Sequence, residues 1–384
     1  MKGKHLHIIS FDVPFPANYG GVIDVYYKIK ALHEIGVKIH LHCFEYGRTP
    51  QKMLESLCES VQYYHRKTNK SLLFNGIPYI VLSRTDDHLL EVLKKDDYPI
   101  LMEGLHSTYY LDHPDLKNRV KIVRTHNVEH HYYQSLAKVE QNIFKRYYFY
   151  NEANKLQKYE SVLNHATAIA TISENDKEYF SSKYNNVVCI PAFHPNETVV
   201  IKKGIGSYAF YHGNLAVGEN NEAALFLVNE VFNDLDIPLV IAGSKPSKEL
   251  IKATNNNPNI QLKAGITTEA IYKLLDDAQI NILPTFQSTG IKLKLLAALF
   301  HGRHCIVNTP MVEKTGLESL CIIADDASEM KKSLQKVFKL ELNNSEITKR
   351  KLILEDKFSN HNNAELLSRL LAGNRAKPPE IQPV

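Results

Sequence analysis

Short apolar runs alternate with amphipathic stretches along most of the chain. HLHIISF (5–11) reads as a first buried strand, DVPFPANYGG as a loop, and VIDVYYKIKALHEIG as a helix closed by Gly36. VKIHLHCF returns as a strand, and PILMEG (99–104), VKIVRTH (120–126), ATAIATIS (166–173) and NVVCIP (186–191) repeat the apolar signal with helical stretches between them. A proline-rich polar break, PAFHPNE (191–197), precedes a second series: SYAFYHGN, a helical ENNEAALFLVNEVF, strands IPLVIAG and NIQLKAG, a helical EAIYKLLDDA, and the strand INILP. Such alternation implies parallel sheets covered on both faces, so the expected class is α/β with two Rossmann-like doubly wound domains, 1–192 and 193–357.

Residues 284–308, PTFQSTGIKLKLLAALFHGRHCIVN, concentrate the chemistry. Gly290 permits a tight turn, Ser288 and Thr289 can cap, and the first-turn amides near Ile291 then face an anion with Lys292 and Lys294 adding charge. Leu293, Leu295, Leu296, Leu299 and Phe300 supply an apolar face. The sequence is not a Walker loop, and a lysine-bearing core helix is the competing reading. Doubly wound sheets bind ligands beyond the carboxyl ends of their strands, which directs attention to the loops at 14–21, 102–107, 124–131, 211–220, 242–247, 264–269 and 284–290.

Composition removes several function classes. The 384 residues exceed one ordinary core, and 46 basic against 42 acidic side chains leave a net charge of +4, too mild and dispersed to call for nucleic acid. Five cysteines without a CxxC pair fit reduced thiols and argue against structural zinc, which points to a cytoplasmic protein. No window approaches the apolar length of a transmembrane helix or a signal segment.

Gly20-Gly21 before a helix, a strand ending in His126-Asn127, Gly213 closing the first strand of the second series and the G-I-K-L-K-L-L helix together resemble GT-B glycosyltransferases. The resemblance is greatest to the retaining family-four group of bacterial polysaccharide enzymes. RTHNVEHHYY (124–133) is similar to their HNVE loop, Gly290, Lys294 and Leu296 match their G-x-x-x-K-x-L-E-A helix, and HGN with Asn220 resembles their "G…PN" segment. The resemblance implies two domains facing a central cleft, a helix at 358–373 crossing back to the first domain, and a polar tail at 374–384. It also implies sugar transfer from a nucleotide sugar to a glycan or lipid-linked acceptor, with no metal and no separate cofactor.

In that reading Lys294 neutralises the departing diphosphate and His126 contacts donor sugar or acceptor. Gly20, Gly21, Asn127, Glu129, Gly213, Asn214, Ser288, Thr289, Gly290, Ile291 and Lys292 line the substrates, although Glu129 equally suits a helix-dipole role. The group usually carries two glutamates flanking the turn, and here those positions are Thr289 and Ala297; Glu313 and Glu318 are the nearest downstream carboxylates. Their loss motivates a non-catalytic binding subunit as an alternative, and Asp12, Glu103 and Glu129 motivate an epimerase. His5, His7, His40, His42, His130 and His131 read as structural. The aromatic stretch 145–160 reads as packing in preference to a lipid-facing surface, leaving peripheral contact with the inner membrane face open.

Overall fold

The computed structural model describes residues 3–286 and 293–372. The chain forms two compact units, one from the N-terminus to Pro195 together with the segment from Ser359 on, the other Asn196–Phe358. Unit 1 holds β1 (His5–Ser10), β2 (Lys38–Glu45), β3 (Ser60–His65), β4 (Ile100–Glu103), β5 (Lys121–Thr125), β6 (Ala168–Thr171) and β7 (Val187–Cys189). They pair in parallel in the order β3-β2-β1-β4-β5-β6-β7. Unit 2 repeats the plan with β8 (Ala209–Asn214), β9 (Leu239–Ser244), β10 (Ile260–Ala264), β11 (Ile280–Leu283), β12 (His304–Val307) and β13 (Ile322–Ile323), ordered β10-β9-β8-β11-β12-β13. The chain reverses winding between β1 and β4 and between β8 and β11, and at such points the loops beyond the carboxyl ends diverge to leave a crevice.

β3 and β13 escape the periodicity reading because both are edge strands. SVQYYH is largely half-buried, so it needs no apolar alternation, and β13 has only two residues. The helix at 219–232 is also not uniform: Gly218–Phe226 is α-helical and Leu227–Val231 widens into a π turn. The final helix, Asn360–Leu371, packs on the helix Gly20–Glu34 through Ala364, Leu367, Leu370 and Leu371, all within the unit 1 core. Asn360 ties it further, accepting from His194 N (3.1 Å) and donating to His194 O (2.7 Å).

Segment 145–160 departs from the packing reading at one end. Glu152, Ala153 and Leu156 are buried, but Tyr147 and Tyr150 are exposed, as are Ile143 and Phe144 just before the segment.

The histidines of β1 and β2 stack on one sheet face and satisfy one another. His5 Nδ1 lies 2.8 Å from His40 Nε2, and His7 Nδ1 2.8 Å from His42 Nε2. Asp96 can only accept, so His7 Nε2–H donates to it at 3.0 Å and His7 Nδ1 accepts from His42 Nε2–H. Burial drives His7 down to about 4 despite the opposing pull of Asp96, and lowers His42 well below its usual value. The unfolded chain takes up these protons near pH 6.5, whereas folded His7 resists until about 4. Its contribution is therefore fully present above about pH 6.5 and is lost as pH falls toward 4, by roughly 3 kcal/mol for that group. Urea midpoints measured from pH 7 to 4.5 should fall steeply, and His7→Gln should flatten the slope; an unchanged slope would mean that His7 is not held neutral.

Candidate active site

In unit 1 the helix Gly20–Glu34 starts directly beyond β1. Its N-cap, Tyr19, makes no side-chain capping bond, and a side chain at Gly21 would meet the Phe11 ring at 2.7 Å, which explains the glycine there. Gly20 is open on all sides. One turn further in, Asp24 and Lys28 occupy the same helix face as Val25 and Ile29 and are fully buried with them. Lys28 Nζ donates to Asp24 Oδ2 at 2.7 Å and lies 2.9 Å from the Glu103 carboxylate at the end of β4. Arg124 of β5 donates to Asp24 Oδ1 at 2.9 Å and to the carbonyls of Ile190 and Pro191 at 2.5 and 3.1 Å. Asp24 Oδ1 also accepts from Phe193 N at 2.9 Å. Burial by itself would raise the Asp24 carboxyl, but Arg124 and Lys28 outweigh it and hold it well below the carboxylate range.

This cluster supports His126, whose Nε2 is 3.0 Å from Glu103 Oε2 and whose ring meets the edge of Phe11 at 5.4 Å. Asp24, Glu103 and His126 bring three potential ligand atoms within 4.8 Å of one another. Lys28 and Arg124 already balance those two carboxylates, so a cation there would have to displace them. Neighbouring Asn127 is half-buried and makes no side-chain hydrogen bond among the described residues. Glu129 corrects the helix-dipole reading. It opens the helix Glu129–Val139 but is only 5% exposed, and burial pushes its carboxyl up to about 8, so at neutral pH it carries no charge to offer the dipole. His106 Nδ1 lies 3.8 Å away, and burial likewise keeps that imidazole neutral. His130 is paired with Glu160 at 3.3 Å, a structural role.

In unit 2, Lys294 stands on the first turn of the helix Leu293–His301, next after β11 in the chain. Its Nζ donates to Asn220 Oδ1 at 2.8 Å and lies 3.4 Å from Tyr211 Oη and 5.0 Å from the Tyr211 ring centre. Asn220 comes from the helix that follows β8, so Lys294 bridges the two strands of the winding reversal. Beside it His212 stacks on Phe210, and burial followed by the Lys294 charge lowers it to about 3. Its Nε2 has no hydrogen-bond partner among the described residues. The strand ends are close-packed: a Cβ at Gly243 would fall 2.0 Å from Gly213 O, and Asn214 Oδ1 accepts from Ser244 Oγ at 2.9 Å. Beyond β11, Asn308 clamps Thr285 with bonds of 2.9 and 2.7 Å, and the Thr285 hydroxyl donates to Glu219.

The carboxylate at this rim is thus Glu219. Glu313 is exposed at the end of a short helix, Thr309–Val312, and Glu318 sits in a turn before the edge strand β13. Ala297 lies in an apolar layer with Phe210, Val240, Ala242 and Leu275. Ser288, Thr289, Gly290, Ile291 and Lys292 lie outside the described residues. Asp24, Lys28 and Arg124 carry a sequence signal that is easily missed, a charged i,i+4 pair on an otherwise apolar helix face and an arginine inside a buried strand.

Residues 207–339 in unit 2 match the family model described as Glycosyl transferases group 1. An uncharacterised 44.6 kDa protein in the cps region of Klebsiella pneumoniae is 27% identical over 340 residues, covering 83% of this chain and 87% of that protein. Among solved structures, S. aureus TarM superposes with a TM-score of 0.68 at 12% identity over 96% of this chain and 99% of that one. A trehalose-6-phosphate protein from E. coli, solved with UDP-2-fluoro glucose, gives 0.62 at 11% identity over 96% and 99%. These likenesses establish the GT-B fold.

The ion cluster makes a direct prediction. Lys28→Ala would leave Asp24 and Glu103 buried with a single cation between them, and removing one partner of a buried pair typically costs about 3–5 kcal/mol. Chemical denaturation should show a loss of that size; a loss under about 1 kcal/mol would mean that water or rearrangement satisfies both carboxylates.

Proposed function

We propose that this glycosyltransferase moves a sugar from a nucleoside diphosphate sugar to a glycan or lipid-linked glycan in surface polysaccharide synthesis, with retention at the transferred carbon and no metal. The Lys294 ammonium, held at the winding reversal of the group 1 domain, carries the reading. Breaking the bond between the anomeric carbon and the diphosphate oxygen places negative charge on the departing phosphate, and a fixed ammonium on a helix first turn stabilises that charge. Neutral His212 adds no competing positive charge, and Glu219 offers the rim a carboxylate for ribose hydroxyls in place of the one replaced by Ala297. The relatives solved with UDP or a UDP-sugar and the relative in a cps region agree with donor type and setting.

On the acceptor side, Glu103 accepts a hydrogen bond from His126 Nε2–H, which turns Nδ1 toward a sugar hydroxyl. The three carboxylates that an epimerase would use are otherwise engaged. Asp12 accepts from Val13 N and Tyr19 Oη at 2.8 and 2.7 Å, Glu103 pairs with Lys28, and Glu129 is buried and uncharged. No helix among the described residues is long and apolar enough to cross a membrane. Exposed Ile143, Phe144 and Tyr147 beside Lys145 and Arg146 suit peripheral contact with the cytoplasmic face.

Lys294→Ala should weaken nucleoside diphosphate binding roughly tenfold to two-hundredfold in calorimetry, with little change for the nucleoside. Equal losses for both ligands would count against a diphosphate contact. His126→Ala should reduce turnover by roughly 10²–10⁴ while leaving nucleotide affinity intact. Wild-type protein that binds no nucleotide at millimolar concentration would overturn the transferase reading in favour of a binding subunit, the alternative that Ala297 supports.

A further inference from the structure

The buried and half-buried arginines of unit 1 divide into two kinds. Arg48, Arg119 and Arg124 each face an aspartate, at 3.9 Å from Asp12, 2.9 Å from Asp96 and 2.9 Å from Asp24. Arg84 and Arg66 face none among the described residues. Arg84 is 7% exposed and donates only to Phe11 O (2.7 Å), Ile80 O (2.7 Å) and Ser83 Oγ (3.5 Å), which leaves its Nη2 without a partner. Arg66 gives its Nε to the same Ser83 Oγ at 3.2 Å and lays its guanidinium over Tyr46 (4.4 Å) and Tyr79 (5.6 Å). Two guanidinium groups thus converge on one hydroxyl with no carboxylate within ion-pair distance among the described residues; Asp12, which acts on Arg84 from further away, lies 3.9 Å from Arg48.

Like charges brought together and partly withdrawn from water are unfavourable unless an anion joins them. Burial lowers Arg84 to about 10, which leaves it charged at neutral pH. The pair also lies close to the proposed chemistry. The carbonyl that binds Arg84 belongs to Phe11, whose ring contacts His106 (5.3 Å) and His126 (5.4 Å). Glu129, the nearby acid that would otherwise balance them, is held neutral by its own burial.

We propose that Arg84 and Arg66 bind an oxyanion on the acceptor, a phosphate or a carboxylate carried close to the hydroxyl that receives the sugar. Guanidinium forks match both groups in geometry, and Nη2 of Arg84 with both terminal nitrogens of Arg66 supply the donors. The inference rests on the transferase reading for the word acceptor, but the anion site itself can be measured without turnover.

The test uses the full chain with Lys294→Ala, which disables the phosphate contact of unit 2, and titrates inorganic pyrophosphate, glucuronate and glucose by calorimetry. Pyrophosphate or glucuronate should bind and glucose should not; tighter pyrophosphate assigns a phosphorylated acceptor and tighter glucuronate an acidic sugar. Adding Arg66→Gln or Arg84→Gln should weaken the bound anion about tenfold or more. Arg66 is the safer variant, because it anchors less backbone than Arg84. Absence of anion binding in the Lys294→Ala protein, or unchanged affinity after Arg66→Gln in a protein that melts normally, would overturn the proposal and leave both arginines as backbone clamps. Nucleoside diphosphate binding to Arg66→Gln with Lys294 intact reports separately on the transferase reading.

Discussion

Two carboxylates and two cations buried behind His126 are the constraint on which the first unit depends. Asp24 and Lys28 come from the helix after β1, Glu103 from β4 and Arg124 from β5, so the cluster fastens the three elements that meet at the winding reversal. Each ion alone would be costly inside a parallel sheet protein. Together they are neutral, and the backbone groups at Ile190, Pro191 and Phe193 complete the coordination. An apolar cluster of equal volume could pack as well, but it would not fix the proton position on His126.

The second unit reaches the same end with one ion. At its reversal between β8 and β11 the Lys294 ammonium donates to the Asn220 side-chain oxygen and lies against the Tyr211 ring. The unit 1 cluster, by contrast, balances its charges internally beside His126. The same topology therefore carries a lysine beyond β11 in one unit and a histidine beyond β5 in the other. Arg84 and Arg66 are the exception in unit 1, two guanidinium groups that share the Ser83 hydroxyl with no carboxylate in ion-pair contact among the described residues.

Periodicity made the two sheets legible because most parallel strands here are buried on both faces and read as plain apolar runs. β3 failed that test since an edge strand tolerates SVQYYH, and the packing reading of 145–160 failed at Tyr147 and Tyr150 because an aromatic run looks like core from composition alone. Lys294 and His126 stood out through turn chemistry and motif order. Asp24, Lys28, Arg84 and Arg66 were not, since a charged residue in a helix or loop is ordinarily solvated and only the packing shows which ones are enclosed. Glu129 illustrates the same limit: its place at a helix start suggested a charged role, and burial removes the charge.

The hydrogen between Glu103 and His126 is where the buried cluster meets the site. With histidine labelled in ¹⁵N, the nitrogen shifts of His126 report which ring atom carries hydrogen, and Glu103→Gln supplies the reference. The hydrogen bond to the Glu103 carboxylate calls for hydrogen on Nε2 in the wild-type protein and a loss of that preference in the variant. An Nδ1–H form in the wild type, or a tautomer insensitive to Glu103, would contradict the claim that the buried ion cluster sets the chemistry of this site.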